Sequence, residues 1–542
     1  MALALECGLT APAWAQTERP DEEAMFGEDR PSVESSADAG VFSGGDEQGR
    51  AADASDGGTE PERDEDTLFG GPGQAPSQSE EAGAGTPVRN LGPPTDESDR
   101  DRQVLEGDAI TDAFASEEAV DDPLRIGGLF YQRGIASYRQ DDQFKNVALT
   151  FPTLVDAYFD GRPTDRIRAF VSGRLTYDPT LDTASQSPDN ALDPEGGITQ
   201  VGQNLFGGQD VQNPRMVLDQ AWLRFDIQRA VFLTIGKQHV KWGTSRFWNP
   251  TDFLSPSRRN PLQTFDLRTG ASMVKVHVPW EERGWNFYAL ALLDNVGPSD
   301  ALGKLGGAAR AELVFGTLEL GLDAVVQLDR KPRFGLDLST PLGPFDIYGE
   351  VALRGRPDSP LWRRRAGADP DNVQVSDFER YLPEGPSPQA SGGLTWTWAY
   401  NDTDSLTVGA EYFYNSLGTD DPGLYPWLIL NGEFTPFYLG RHYAAAYALL
   451  AAPGNWENTS FVFSALGNIS DRSFLTRLDV TQRVLSFLTV EGFVSGHFGN
   501  DRGEFRLGVD VPPLVFPGGF TTPAIVIPPP VFEVGVALRV SL

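Results

Sequence analysis

From Ile126 onward the apolar residues recur at every second position. Within residues 317–328, Leu318, Leu320, Leu322, Ala324, Val326 and Leu328 alternate with Glu319, Gly321, Asp323, Val325 and Gln327. A strand sends successive side chains to opposite faces, so one face of this segment is aliphatic and the other mostly polar. The same alternation runs through residues 166–177, 345–354, 405–415, 474–483 and 487–498. Marking every such segment predicts about eighteen strands, with sixteen as the alternative count. Their usual length, about 10 to 14 residues, suits tilted strands that cross a membrane, where ~9 to 11 residues span the hydrocarbon, better than soluble strands of ~5 or 6.

Connection lengths support the same reading. The five longest predicted connections, at about 178–214, 242–269, 355–390, 417–439 and 499–529, all follow odd-numbered strands. Those after even-numbered strands are short, such as 229–230, 316 and 485. Short turns at one mouth and long loops at the other are the asymmetry of a transmembrane barrel. A spanning helix is excluded, because the longest uncharged, apolar-leaning stretch covers only residues 442–456. The expectation is therefore an all-β, transmembrane antiparallel β-barrel. A soluble sandwich would also alternate, yet it would not carry so many charges at mid-strand. Aromatics near strand ends, Trp396, Trp398, Tyr400, Tyr443 and Tyr447, read as an interfacial girdle. The chain closes on Phe532, Val534, Val536, Leu538, Val540 and Leu542 against Glu533, Gly535, Ala537, Arg539 and Ser541, similar to the last strand and assembly signal of outer-membrane barrels, though such strands usually end in Phe or Trp.

Charge divides the chain. The first 125 residues hold 31 Asp and Glu against 8 Arg and no Lys, so most of the net charge of -33 lies there. Three regions follow: a signal-peptide remnant over 1–15, ending Ala13-Trp14-Ala15; an acidic extension over 16–124, too polar to bury a core and expected to be disordered in the periplasm; and the barrel over 125–542. Two related islands, residues 23–27 and 66–70, are candidate docking peptides for a periplasmic partner. Other expected partners are outer-membrane lipid and lipopolysaccharide and the barrel-assembly machinery. Nucleic acid is disfavoured by the acidic balance. Cys7 is the sole cysteine, no Cys/His spacing suits a metal, and no cofactor is expected.

With the apolar face to lipid, the charges face inward. Basic pore-lining candidates are Arg166, Arg168, Arg174, Arg224, Lys237, His239, Lys241, Lys275 and His277; acidic ones are Glu312, Glu319, Asp323, Asp337, Asp346, Glu350 and Glu411. A mainly basic wall facing a mainly acidic one would orient dipolar solutes and favour charged ones; alternatively the charges pair with strand neighbours. Eighteen strands enclose an aqueous channel unless a loop folds inward. The aromatic loop 242–269, with Trp242, Arg246, Trp248, Asp252, Arg258 and Arg259, is the constriction candidate, and the Asp/Asn-rich loop 178–214 could bind divalent cations. No histidine lies beside a serine in a recognisable motif, and nucleotide-binding motifs are absent, so an enzyme is not expected.

The run Gly236-Lys237-Gln238, Trp242-Gly243, Asn249-Pro250-Thr251-Asp252 and Ser255-Pro256 resembles a strand-to-loop element of Gram-negative outer-membrane porin-like barrels, and is loosely similar to alginate-export barrels. The resemblance covers some 20 residues. It implies an outer-membrane location and barrel architecture and carries no substrate residue. The function expected is passive diffusion of small polar or anionic solutes; a polysaccharide or polymer export conduit, and a structural or envelope-assembly protein acting through the acidic tail, stay open. A receptor with a folded plug is disfavoured, since the tail cannot form one.

Overall fold

The computed structural model describes residues 123–542, apart from 142–146, 165, 181–212, 256, 264, 294–304, 329, 366, 368–374, 402–403 and 512–524. The expectations for the signal remnant, the acidic extension and most of loop 178–214 lie outside the described residues.

Eighteen strands form one closed antiparallel sheet. The first six are β1 (Leu124–Arg139), β2 (Ala148–Thr150, continuing as Thr153–Thr164), β3 (Ile167–Tyr177), β4 (Arg215–Ile227), β5 (Val231–Gln238) and β6 (Ala271–Trp280). Next come β7 (Trp285–Leu292), β8 (Gly306–Phe315), β9 (Leu318–Gln327), β10 (Arg333–Leu342), β11 (Phe345–Arg354) and β12 (Ser387–Ala399). The circuit ends with β13 (Ser405–Asn415), β14 (His442–Ala451), β15 (Thr459–Asn468), β16 (Ser473–Leu485), β17 (Leu488–Gly499) and β18 (Pro530–Ser541). Each strand pairs with the next, and β18 pairs with β1 from Leu129↔Ser541 to Arg139↔Pro530, so no edge is left open. The break in β2 falls at Phe151-Pro152, where proline has no N–H to give the ladder; β1 holds both segments in register.

Alternation sets the faces. On β9, Leu322 and Val326 are exposed to the outside while Asp323, Val325 and Gln327 are buried within; on β18, Val534, Val536 and Leu538 are outward. Trp280, Phe315, Phe345, Trp398 and Phe487 stand exposed near the short-turn end, an aromatic band of the kind that sits at a membrane interface. The long connections 239–270, 355–386, 416–441 and 500–529 all leave from the other end. Three of them are themselves ordered: a hairpin of Leu361–Arg364 with Phe378–Tyr381, a short helix α1 (Tyr425–Leu430), and a hairpin of Val509–Val511 with Ile525–Ile527. They share a small apolar core of Phe378, Leu424, Tyr425, Leu428, Phe434 and Leu507.

Candidate functional site: a strap across the lumen

After Gln238 the chain leaves the wall and turns inward. Two glycines permit this. Gly236 has φ +130° and its missing Cβ would strike the Ala221 carbonyl on β4; Gly243 has φ +99° and its Cβ would fall within the Glu350 carboxylate. Glu350, on the inner face of β11, accepts hydrogen bonds from Ser245 N (2.6 Å), Thr251 N (3.2 Å), Thr251 Oγ1 (2.7 Å) and Asn249 Nδ2 (3.2 Å). Glu411, on β13, accepts from Arg246 N (2.8 Å), Phe247 N (3.1 Å), Trp248 N (2.8 Å) and the Tyr348 hydroxyl (3.1 Å). A segment outside the sheet has no ladder to satisfy its N–H groups, and here two ionisable wall residues take that role.

Apolar packing fixes both ends of the strap. Val240, Trp242, Phe253 and Leu254 lie against Met273, Tyr288, Leu290, Val325 and Ala352 of β6, β7, β9 and β11. Phe247 and Trp248 reach Phe413, Tyr443, Tyr447, Leu466 and Leu475 of β13 to β16. Trp248 stacks on Phe413 with ring centroids 5.7 Å apart, and its Nε1 donates to the Phe437 carbonyl at 3.0 Å. Since β6 and β14 are eight strands apart in a cylinder of eighteen, residues 239–270 cross the lumen. The return arm seats Phe265 edge-on to Tyr131 of β1 at 4.7 Å. Arg268 ties the arm together, bonding Asp252 at 2.6 Å and Asp266 at 2.5 Å. Burial opposes ionisation of Asp266, but the Arg268 guanidinium outweighs it and holds the carboxyl well below the usual carboxylate range.

Of the strap candidates, Trp242 and Trp248 are the wedges just described. Arg246 lies over the Tyr447 ring, Arg258 lies over Tyr438 and donates to Gln389 Oε1 at 3.5 Å, and Arg259 donates to the Arg246 carbonyl at 3.2 Å. Tyr443 and Tyr447, expected in the outer girdle, instead face the lumen and are almost wholly buried. The amphipathicity of β14 is inverted: its outer face is alanine, Ala444, Ala446 and Ala448, because its large residues have an apolar partner in the strap.

The basic candidates divide. Arg168, Arg174, Lys275 and His277 are inward and buried, and Arg224 lies over Phe232. Arg166 is exposed at the β2–β3 turn, and His239 and Lys241 lie beyond the end of β5, His239 bonding Asp219 at 3.0 Å. Lys237, expected to line the pore, does not face the lumen. Its register partners are Ala221 and Ser272, on the face of Ile235 and Leu223, so it points outward and donates to the Leu218 carbonyl at 2.7 Å. The strand's inward positions are Thr234, Gly236 and Gln238; the lysine spacing continued past a strand that stops earlier than the alternation suggested.

The expectation of a mainly basic wall also changes. Arg168 bonds Asp160 at 2.9 Å, and Arg174 bonds Asp156 at 3.0 Å and Asp219 at 3.3 Å. These acids were missed, although Asp156, Tyr158 and Asp160 alternate with Val155, Ala157 and Phe159 on β2 as visibly as any other strand. Across the lumen, Arg310 holds Glu312 at 2.7 Å, Asp323 at 2.7 Å and Asp337 at 2.8 Å. Glu319 accepts from Ser339 Oγ at 3.3 Å, and Asp346 is exposed at the short-turn end. Neighbour pairing thus accounts for most wall charges on both sides.

No family model and no curated protein sequence matches the chain. Solved structures do match. OccAB1 of Acinetobacter baumannii overlaps with a TM-score of 0.44 at 9% identity, covering 77% of this chain and 97% of that one. OpdK of Pseudomonas aeruginosa, solved with vanillate, gives 0.43 at 10% identity over 78% and 100%, and a triple mutant of Rhodopseudomonas blastica porin gives 0.34 at 11% over 77% and 100%. The likeness is one of fold.

Proposed function

We propose that the chain is a channel of a bacterial outer membrane, through which small polar and anionic solutes diffuse passively past an internal strap, and that it is not an enzyme. The observation that carries this reading is residues 239–270, held across a lumen lined by charges through Glu350 and Glu411. An apolar outer face with aromatics near the short-turn end supports placement in lipid, where a closed sheet leaves no unsatisfied edge. The strap narrows an opening that eighteen strands would otherwise leave wide, which suits small solutes rather than a polymer. The test is single-channel recording of the full-length chain in planar bilayers. Discrete conductance steps that fall with increasing size of added neutral polymer are expected; absence of any conductance from protein that shows β-sheet circular dichroism would defeat the reading.

A further inference from the structure

At the long-loop mouth the strap and wall enclose a cavity of about 480 Å³. It is lined by six cationic side chains, Arg258, Arg330, Lys331, Arg333, Arg354 and Arg356, and two acidic ones, Asp252 and Asp358. Neither acid forms an ion pair with any of the six among the described residues. Asp252 takes Arg268 at 2.6 Å and Ser255 Oγ at 2.8 Å, and Asp358 accepts the Lys331 backbone N–H at 3.1 Å. None of the six cations forms an ion pair among the described residues. Their contacts are to neutral groups: Arg333 Nη1 to the Phe253 carbonyl at 3.2 Å, Arg354 Nη2 to the Pro250 carbonyl at 3.4 Å, and Arg258 Nη2 to Gln389 at 3.5 Å. Arg354 Nε is buried with no hydrogen-bond partner.

This is unlike the wall clusters at Arg168, Arg174 and Arg310, where each guanidinium has a carboxylate within 3.0 Å. Converging like charges with an orphaned donor are costly unless something negative joins them. We infer that this cavity is a binding subsite for a small soluble oligoanion, a solute bearing two or more carboxylate or phosphate groups. Guanidinium forks match both groups bidentately, several forks demand several anionic groups, and the volume falls in the range of small-molecule sites, ~300 to 1,000 Å³. The subsite deepens the channel reading and rests on it: solute would be captured at the mouth before passing the strap.

The test is isothermal titration of the refolded full-length chain with citrate, pyrophosphate and acetate at one ionic strength, run beside bilayer recording. Saturable citrate or pyrophosphate binding is expected, weakened at least tenfold in R258Q/R330Q/R356Q, which leaves Arg333 and Arg354 in their contacts to the strap carbonyls. The tighter of the two anions names the carboxylate or phosphate source, and acetate should bind at least tenfold more weakly than either. A conducting protein that binds neither oligoanion, binds acetate as tightly, or is unaffected by the triple substitution overturns the subsite while the channel reading survives. Oligoanion binding without conductance supports the subsite and removes the channel.

Discussion

The wall and the strap are built on opposite principles. Outside the patches where the strap packs, the wall strands repeat one instruction, apolar outward and polar or small inward, and the antiparallel ladder joins each strand to both neighbours. Loss of any one contact leaves dozens of equivalent ones. The strap has no periodicity and no ladder. Its position depends on single-copy contacts, two carboxylates and a few aromatic wedges, so small changes should move it while the barrel stays closed.

The strongest way to separate the two is to remove both anchors. In E350A/E411A, six strap donors lose their acceptors and Asn249 Nδ2 keeps only the Ser245 carbonyl. A buried donor left unsatisfied costs ~1 to 3 kcal/mol, more than the strap can absorb in place. It should swing free while the wall keeps its ladder. Single-channel conductance is expected to rise several-fold, with β-sheet circular dichroism unchanged. Unchanged conductance would mean that the strap does not limit flow.

A smaller effect is expected from Trp248→Ala, which empties a fully buried site between Phe413 and Tyr443. Such a truncation costs ~3 to 5 kcal/mol, but Glu350 remains to hold the near half of the strap. Amide exchange should accelerate by at least tenfold over residues 246–252 and stay constant in β13 and β14; equal acceleration in the strands would show that strap and wall unfold together.

How much of this was legible follows the same division. The eighteen strands, their closure and the side from which the long loops leave could be read because alternation is repeated and local. The inward fold of 239–270 was signalled by its aromatics, and the resemblance rested on the residues that now have reasons: Gly243 makes room for Glu350, Asn249 and Thr251 donate to it, and Asp252 receives Arg268. What could not be read was partnership. Glu350 and Glu411 looked like lining charge because their partners are backbone groups more than 90 residues away in sequence. Tyr443 and Tyr447 looked like girdle because a strand's two faces are equivalent until something packs on one. The run Arg330-Lys331-Pro332-Arg333 was visible, yet only the cavity joins it to Arg258 and Arg356.

The contacts that join loops to one another carry a pH dependence. Glu504, in the last long connection, accepts from Tyr443 Oη, Asn468 Nδ2 and the Phe437 N–H, while the neighbouring Asp471 carboxylate takes Tyr425 Oη at 2.9 Å and Glu504 N at 2.8 Å. Burial, reinforced by Asp471, pushes the Glu504 carboxyl up to about 8. Because the folded value lies above the unfolded one, the stabilising contribution is complete at acid pH, below the unfolded value, and is lost as pH rises through about 8. Amide exchange over 433–441 and 503–508 should therefore quicken between about pH 5 and 9 beyond its intrinsic base dependence, and Glu504→Gln should remove that excess. An excess unchanged in the variant would place the titrating group elsewhere.

The smallest effect is the most exacting check on register. Lys237 sits one residue from Gln238 and shares its strand, yet the pairing with Ala221 and Ser272 turns it outward. A slip of one residue would exchange the faces of all of β5, bringing Lys237 into the lumen and sending Thr234 and Gln238 to lipid. Lys237→Gln should leave the anion-to-cation permeability ratio within error of the parent. Lys275→Gln, which removes a buried cation from the inner face of the adjoining β6, should lower it measurably. Equal shifts from the two substitutions would show that β5 presents the other face, and the turn at Gly243, which depends on the strand ending where it does, would have to be rebuilt with it.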